Sequence, residues 1–117
     1  MNNRMNRVDE QIKEEVSKII DQEMHDPSLT GLISVTSVKT TPDLRYSRVF
    51  VSMIGAKDQK ENLAILKKSS GFIRTLLAKR INLRITPELV FEFDESIEYG
   101  AKIDRILKDM NIKHDDE

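Results

Sequence analysis

The residues best suited to chemistry are six cations in a stretch that contains no carboxylate. Between Asn62 and Pro87 the sequence holds neither Asp nor Glu. Positive side chains at this density favour polyanions, because each one can neutralise a phosphate. A solvated helix face is the alternative interpretation. The six cations are Lys67, Lys68, Arg74, Lys79, Arg80 and Arg84.

A weak point interrupts the helical pattern of the same stretch. Ser69-Ser70-Gly71 are poor helix formers, so we predict two helices that meet at a kink. The second helix would begin with free N–H groups beside Ser69 and Ser70, where an anion can bind. We expect Gly71 to adopt a positive φ or to allow a close approach. The apolar positions are Leu63, Leu66, Ile73, Leu77 and Ile81.

Other polar residues do not form a pattern typical of an enzyme. There is no cysteine, and His25 and His114 have no nucleophile or ligand set near them in sequence. The four glycines are too far apart for a phosphate-binding loop. We therefore predict no catalysis and no metal site. A carboxylate cluster is interpreted as a solvated strand face in preference to a cation site: Glu88, Glu92, Asp94, Glu95 and Glu98.

RNA is one polyanion that the basic stretch could bind. Further candidates for RNA contact lie outside that stretch. Arg4 and Arg7 lie at the start of a predicted helix, the end that its dipole disfavours for cations. Arg45 and Arg48 belong to a predicted strand. Of the six aromatic residues, Tyr46 and Phe50 are candidates for base stacking, whereas the remaining phenylalanines are interpreted as structural: Phe72, Phe91 and Phe93.

The elements that carry these residues follow from apolar periodicity. A first amphipathic helix over residues 6–25 ends at His25-Asp26-Pro27. Two strands, Leu32–Val38 with a period of two and then Arg45–Ile54, form an antiparallel hairpin around Thr41-Pro42-Asp43-Leu44. In the second strand Val49, Val51 and Met53 face the core, and Tyr46, Arg48, Phe50 and Ser52 face away.

The second half supplies the kinked helices, a third strand and a last helix. Asp58 is the predicted N-cap of the kinked pair, and Pro87 fits the start of the third strand. Leu89, Phe91 and Phe93 would face the core. Helical spacing continues at Ile103, Ile106, Leu107 and Met110, before the acidic end Asp115-Asp116-Glu117.

This order predicts an α+β fold, with a three-stranded sheet covered on one face by helices. The 117 residues suit one domain, ordered from about residue 6 to 110. Near-neutral net charge hides a basic stretch followed by an acidic one. The lack of cysteine, of an apolar leader and of a membrane-length apolar run favours a cytoplasmic protein.

The sequence resembles the ribosome-binding factor A family of bacteria over nearly its whole length. The most specific matches are Ser70-Gly71-Phe72-Ile73-Arg74, Leu83-Arg84-Ile85-Thr86-Pro87-Glu88-Leu89 and Asp94-Glu95-Ser96-Ile97-Glu98-Tyr99-Gly100. Shorter matches are Arg7-Val8, Gln11-Ile12, His25-Asp26-Pro27, Asp43-Leu44-Arg45-Tyr46 and Val49-Phe50-Val51-Ser52.

The resemblance implies a type II KH-like domain whose Gly-x-x-Gly loop is replaced by an Ala-x-Gly kink. That kink corresponds to Ser69-Ser70-Gly71, so serine stands where the family has alanine. The resemblance also implies a monomer without enzymatic activity or cofactor. Its expected partners are the small ribosomal subunit, the 16S rRNA and assembly GTPases. Its expected role is late subunit maturation, including processing of the RNA 5′ end and growth in the cold. The family's basic surface corresponds to Arg74, Lys79, Arg80 and Arg84.

Two other function classes remain open at this point. A general KH-like RNA-binding regulator would bind many short RNAs comparably, whereas a maturation factor would prefer an assembling subunit. A protein-interaction or dimerisation module would instead use the open sheet face around Tyr46 and Phe50. Self-association without salt-sensitive RNA binding would favour the latter.

Overall fold

The structure is a computed structural model that describes residues 3–95, with side chains from Met5 onward. The predicted last helix and the acidic end lie outside the described residues. Three helices and three strands follow one another along the described chain. They are α1 (Asn3–Glu23), β1 (Leu32–Thr40), β2 (Tyr46–Ile54), α2 (Gln59–Lys68), α3 (Ser70–Arg80) and β3 (Glu88–Phe93).

The first helix forms because its apolar residues recur every three or four positions. Ile12, Val16 and Ile19 are fully buried, which places one face of α1 on the core. The helix begins three residues before the predicted start. It ends two residues before the predicted end, ahead of His25-Asp26-Pro27. Asp26 accepts a hydrogen bond from the backbone N–H of Ser28 at 2.9 Å, which stabilises the turn that follows.

The predicted antiparallel hairpin of β1 and β2 is confirmed, with Val35 paired to Val51 and Val38 to Val49. A bulge lies between Val35 and Ser37. Because Thr36 is the extra residue there, Val35 and Val38 are both buried although they lie three positions apart. The strict period of two that the sequence predicts for this strand is therefore wrong at one point.

The turn between β1 and β2 is organised by Asp43. Its carboxylate accepts hydrogen bonds from the Thr41 hydroxyl at 2.6 Å and from the Arg45 N–H at 3.1 Å. These bonds hold the pKa of Asp43 below its usual value, the Thr41 hydroxyl most of all. Leu44 takes a φ of 63°, a left-handed conformation that side chains disfavour.

The third strand lies parallel to β2, and the sheet order is β1-β2-β3. A parallel neighbour requires a crossover, which α2 and α3 provide. Val49, Val51 and Met53 are buried as predicted, together with Leu89 and Phe91. All three helices contribute buried side chains to this one core. The predicted α+β fold with helices on one face of the sheet is therefore confirmed.

One buried polar residue joins the helical layer to the loop before β1. Asn62 of α2 is fully buried. Its side-chain oxygen accepts from the Thr30 N–H at 3.1 Å, and its amide donates to the Thr30 carbonyl at 2.7 Å. Both hydrogen bonds satisfy groups that would be costly to bury alone. Asn62 thereby fixes the start of the basic stretch against the loop before β1.

Candidate nucleic-acid interface

The predicted kink is present as a break between α2 and α3 at Ser69, whose φ and ψ are −92° and 4°. Asp58 caps α2 as predicted, since its side chain accepts from the Glu61 N–H at 3.1 Å. The N–H of Ser69 donates to the carbonyls of Ile65 and Lys67, and its hydroxyl makes no capping bond to α3. Ser69 thus separates two short helices that together carry most of the basic stretch.

The expected special conformation of Gly71 is wrong. Gly71 lies inside α3 without a positive φ, and a Cβ placed on its backbone would meet nothing within 4 Å. The kink therefore depends on the backbone of Ser69, one residue outside either helix. Since Gly71 is exposed, its missing side chain leaves the helix surface open there.

Gly71→Ala should consequently stabilise the protein by a few tenths to about 1 kcal/mol, because alanine favours helix more than glycine does. Gly55→Ala is the matched control: its Cβ would also meet nothing, but its φ is +73°. That conformation should make the control less stable by about 1 kcal/mol. Urea unfolding of both variants measures the difference. A loss of stability in Gly71→Ala would contradict a regular helix at this position.

The six cations of the basic stretch divide into two groups. Four of them are exposed and make no ion pair with a described residue. Two lie at the C-terminal end of α2, one in the last turn of α3 and one in the loop before β3. We call these four residues the free cations: Lys67, Lys68, Lys79 and Arg84. Their charges are available to an external anion.

The remaining two cations have partners within the fold. Arg74 donates from Nε and Nη2 to the carbonyl of Thr86, at 3.1 and 2.8 Å. This bond holds the loop before the buried Pro87 against α3. Arg80 lies 3.6 Å from a carboxylate oxygen of Glu15 and 3.7 Å from one of Glu23. It therefore connects α3 to α1. RNA contact by either arginine stays a prediction.

The other predicted cations lie elsewhere on the surface. Arg7 is exposed near the start of α1, and the side chain of Arg4 lies outside the described residues. Arg45 is well exposed, with Asp43 at 3.8 Å. Arg48 is held by Glu92, as described below. RNA contact by Ser69, Ser70, Gly71 and these arginines stays a prediction.

Arg48 and Glu92 form a bidentate ion pair across β2 and β3. Nε and Nη2 of Arg48 donate to the two carboxylate oxygens at 2.6 and 2.9 Å. These hydrogen bonds lower the pKa of Glu92 and raise that of Arg48. The charge of Lys67 makes a smaller contribution to lowering the pKa of Glu92, so Lys67 lies near this side of the sheet.

The burial of the phenylalanines predicted to be structural differs from the prediction at one residue. Phe91 is fully buried and Phe93 packs against the core, as predicted. Phe72 is 51% exposed, so its interpretation as structural is wrong. Its neighbour Ile73 occupies the buried face of α3, and one residue along a helix is a rotation of about 100°. That rotation was the signal in the sequence for an exposed Phe72.

The site as a whole offers charge and an aromatic surface rather than reactive groups. Within residues 3–95 no three His, Asp or Glu side chains come together as metal ligands. None of the described helices is long and apolar enough to cross a membrane. The kinked helices and the loop after them instead present the free cations and an exposed phenylalanine. These groups suit a phosphate backbone with unpaired bases.

Comparisons with known proteins agree on one family. The family profile described as Ribosome-binding factor A matches residues 4–107. Ribosome-binding factor A of Caldanaerobacter subterraneus subsp. tengcongensis is 44% identical over 118 residues, covering 100% of this chain and 97% of that protein. The protein of the same name from Clostridium novyi is 48% identical over 111 residues, covering 94% and 92% of the two chains.

Solved structures show the same relationship. The crystal structure of ribosome-binding factor A from Thermus thermophilus matches with a TM-score of 0.67 at 25% identity, covering 75% of this chain and 93% of that one. A second match is a homology model of the Thermus thermophilus factor, fitted into a cryo-EM map of its complex with the 30S subunit. Its TM-score is 0.60 at 26% identity, with 71% and 87% of the chains covered. The chain belongs to the ribosome-binding factor A family.

Proposed function

We propose that this chain binds the small ribosomal subunit late in its assembly and contacts the 16S rRNA through the kinked helices. Membership of the family supports a ribosome-binding role. The structural relative fitted into a 30S complex supports the small subunit as the partner. The observation that carries the RNA contact is the set of four free cations in a stretch without carboxylates.

The arrangement of these cations favours backbone contact over reading of sequence. Lys67 and Lys68 end α2, Lys79 lies in the last turn of α3, and Arg84 lies in the following loop. Long cationic side chains on two helices and a loop can follow phosphates along a curved RNA surface. Selectivity for the subunit then comes from RNA shape, because phosphate contacts alone carry no sequence information.

The finer role in the cell is part of the same proposal. We place the protein in the cytoplasm with assembling subunits, as a monomer that needs no cofactor and catalyses no reaction. It would assist maturation of the 16S rRNA 5′ end, with the greatest need in the cold, where misfolded RNA escapes its traps slowly. Assembly GTPases would act on the same particles.

A salt titration of RNA affinity tests the electrostatic part of this proposal. If the four free cations each neutralise one phosphate, the plot of log affinity against log salt should have a slope of about −3 to −4. Fluorescence anisotropy with a labelled fragment of 16S rRNA measures it. An affinity that hardly changes between low and moderate salt would contradict phosphate contact by this surface.

A further inference from the structure

The open face of the sheet carries a groove, and Lys67 is the one residue of its lining that the proposed phosphate contacts already use. The groove has a volume of about 500 Å³ and lies beside the end of β3. We call it the Arg48 groove. Residues of all three strands and of α2 line it, among them Lys39, Arg48, Phe50, Lys67 and Glu92.

Arg48 is held in one orientation within this groove. Its guanidinium is bound by both oxygens of Glu92 and lies over the ring of Phe50, 5.0 Å from the ring centre. Phe50 and Glu92 are paired across β2 and β3, so the strand register itself sets this arrangement. The side chain of Arg48 is nonetheless 54% exposed. One face of the guanidinium is therefore covered by Phe50, and the other is open to the groove.

This arrangement changes the role of Phe50. The sequence predicts Phe50 as a stacking surface for a base, but Arg48 already lies over its ring. A planar guanidinium can itself stack on a nucleobase. Binding a base would cost Arg48 little conformational entropy, because Glu92 and Phe50 already restrain its side chain.

Two of the cations that line the groove can hold an anion beside the stacking surface. The groove is lined by three cations and three carboxylates. Glu92 is neutralised by Arg48. Asp94 accepts a hydrogen bond from the Thr36 hydroxyl at 2.5 Å, and Glu95 is exposed, so the lining as a whole is close to neutral. Lys39 and Lys67 are exposed and make no ion pair with a described residue. Lys67 is also one of the free cations, so the groove continues into the phosphate-binding surface.

We propose that the Arg48 groove holds one unpaired nucleotide, with its base stacked on the Arg48 guanidinium and its phosphate beside Lys39 or Lys67. This inference rests on the proposed function, because the same RNA strand would run from the free cations into the groove. It adds a preference for RNA with unpaired bases, which phosphate contact alone does not supply. In a base-paired duplex the internal bases are stacked on both faces, so only the terminal pairs leave a face open to the guanidinium.

Arg48→Lys tests the inference, because lysine keeps the charge and removes the planar group. Two probes are compared in anisotropy titrations with the full chain: a single-stranded RNA that contains 2-aminopurine, and an RNA duplex with the same number of phosphates. We expect about tenfold weaker binding of the single strand. Duplex affinity should stay within about twofold, since phosphate contacts are kept, and the stacking-induced quenching of 2-aminopurine should disappear.

Two further variants separate stacking by the Arg48 guanidinium from the effect of its charge. Arg48→Ala should weaken single-strand binding about as much as Arg48→Lys does. Glu92→Gln, which loosens the guanidinium, should reduce the quenching with Arg48 still in place. Unchanged single-strand affinity and quenching in Arg48→Lys would overturn the inference, as would equal losses for single strand and duplex. A wild-type protein that binds neither RNA would contradict the RNA contact in the proposed function, and this inference with it.

Discussion

Replacing Lys67 and Lys68 together by glutamate should weaken RNA binding by roughly 50-fold or more at ~0.1 M salt. Each phosphate contact contributes roughly eightfold to affinity at that salt, and two contacts would be lost. Both residues are exposed and lack ion pairs with described residues. Their substitution should therefore leave the fold intact. Anisotropy titrations measure the affinity, and urea unfolding checks that the variant is folded.

The matched control reverses two charges at the other end of the same helix. Lys57 and Lys60 are exposed and lie at or just before the start of α2. Lys57→Glu with Lys60→Glu changes net charge by the same amount, but should weaken binding only severalfold through the overall field. Equal losses in the two double variants would mean that net charge, rather than the end of α2, determines RNA affinity.

Gly31→Ala should be among the most destabilising single substitutions in the described chain, with a loss of about 3 kcal/mol or more. Gly31 has a φ of +78°, and a Cβ there would lie 2.6 Å from both the Ile54 carbonyl oxygen and the Ala56 N. These are backbone atoms, so relief requires β1 to separate from the end of β2. The free energy of unfolding in urea measures the loss.

The three glycine variants together separate the cost of a positive φ from the cost of a steric clash with the added Cβ. Gly71→Ala has neither strain nor contact, Gly55→Ala has a positive φ alone, and Gly31→Ala has both. The stability of the variants should decrease in that order. A Gly31→Ala protein as stable as Gly55→Ala would contradict the close approach of the strand end to the chain before β1.

Local pattern was sufficient to predict most elements of this fold. Apolar spacing placed α1, both hairpin strands and the break at Ser69 within a few residues, and Asp58 was recognised as a cap. These features depend on neighbours in sequence. The parallel pairing of β3 with β2 depends on how the α2–α3 crossover returns the chain, so apolar periodicity did not predict it. The bulge at Thr36 depends on register with Phe50 and Val51.

The sequence was sufficient to predict which stretch is basic. It was not sufficient to predict which of the cations are free of ion pairs and open to an external anion. Six cations without a carboxylate are visible in the sequence. That Arg80 meets Glu15 and Arg48 meets Glu92 follows only from the packing of distant segments. Such pairs reduce the number of charges that are open to phosphate, whereas the exposure of Phe72 adds an aromatic residue to the surface.

Co-sedimentation with ribosomal particles tests the central claim most directly. The full chain, its Lys67→Glu/Lys68→Glu variant and the Lys57→Glu/Lys60→Glu control would be mixed with immature small subunits, mature small subunits and large subunits. We expect the wild type and the control to co-sediment best with the immature small subunits, and the Lys67→Glu/Lys68→Glu variant to remain in the supernatant. Equal binding to large and small subunits, or undiminished binding by the Lys67→Glu/Lys68→Glu variant, would contradict assembly-specific binding through the free cations.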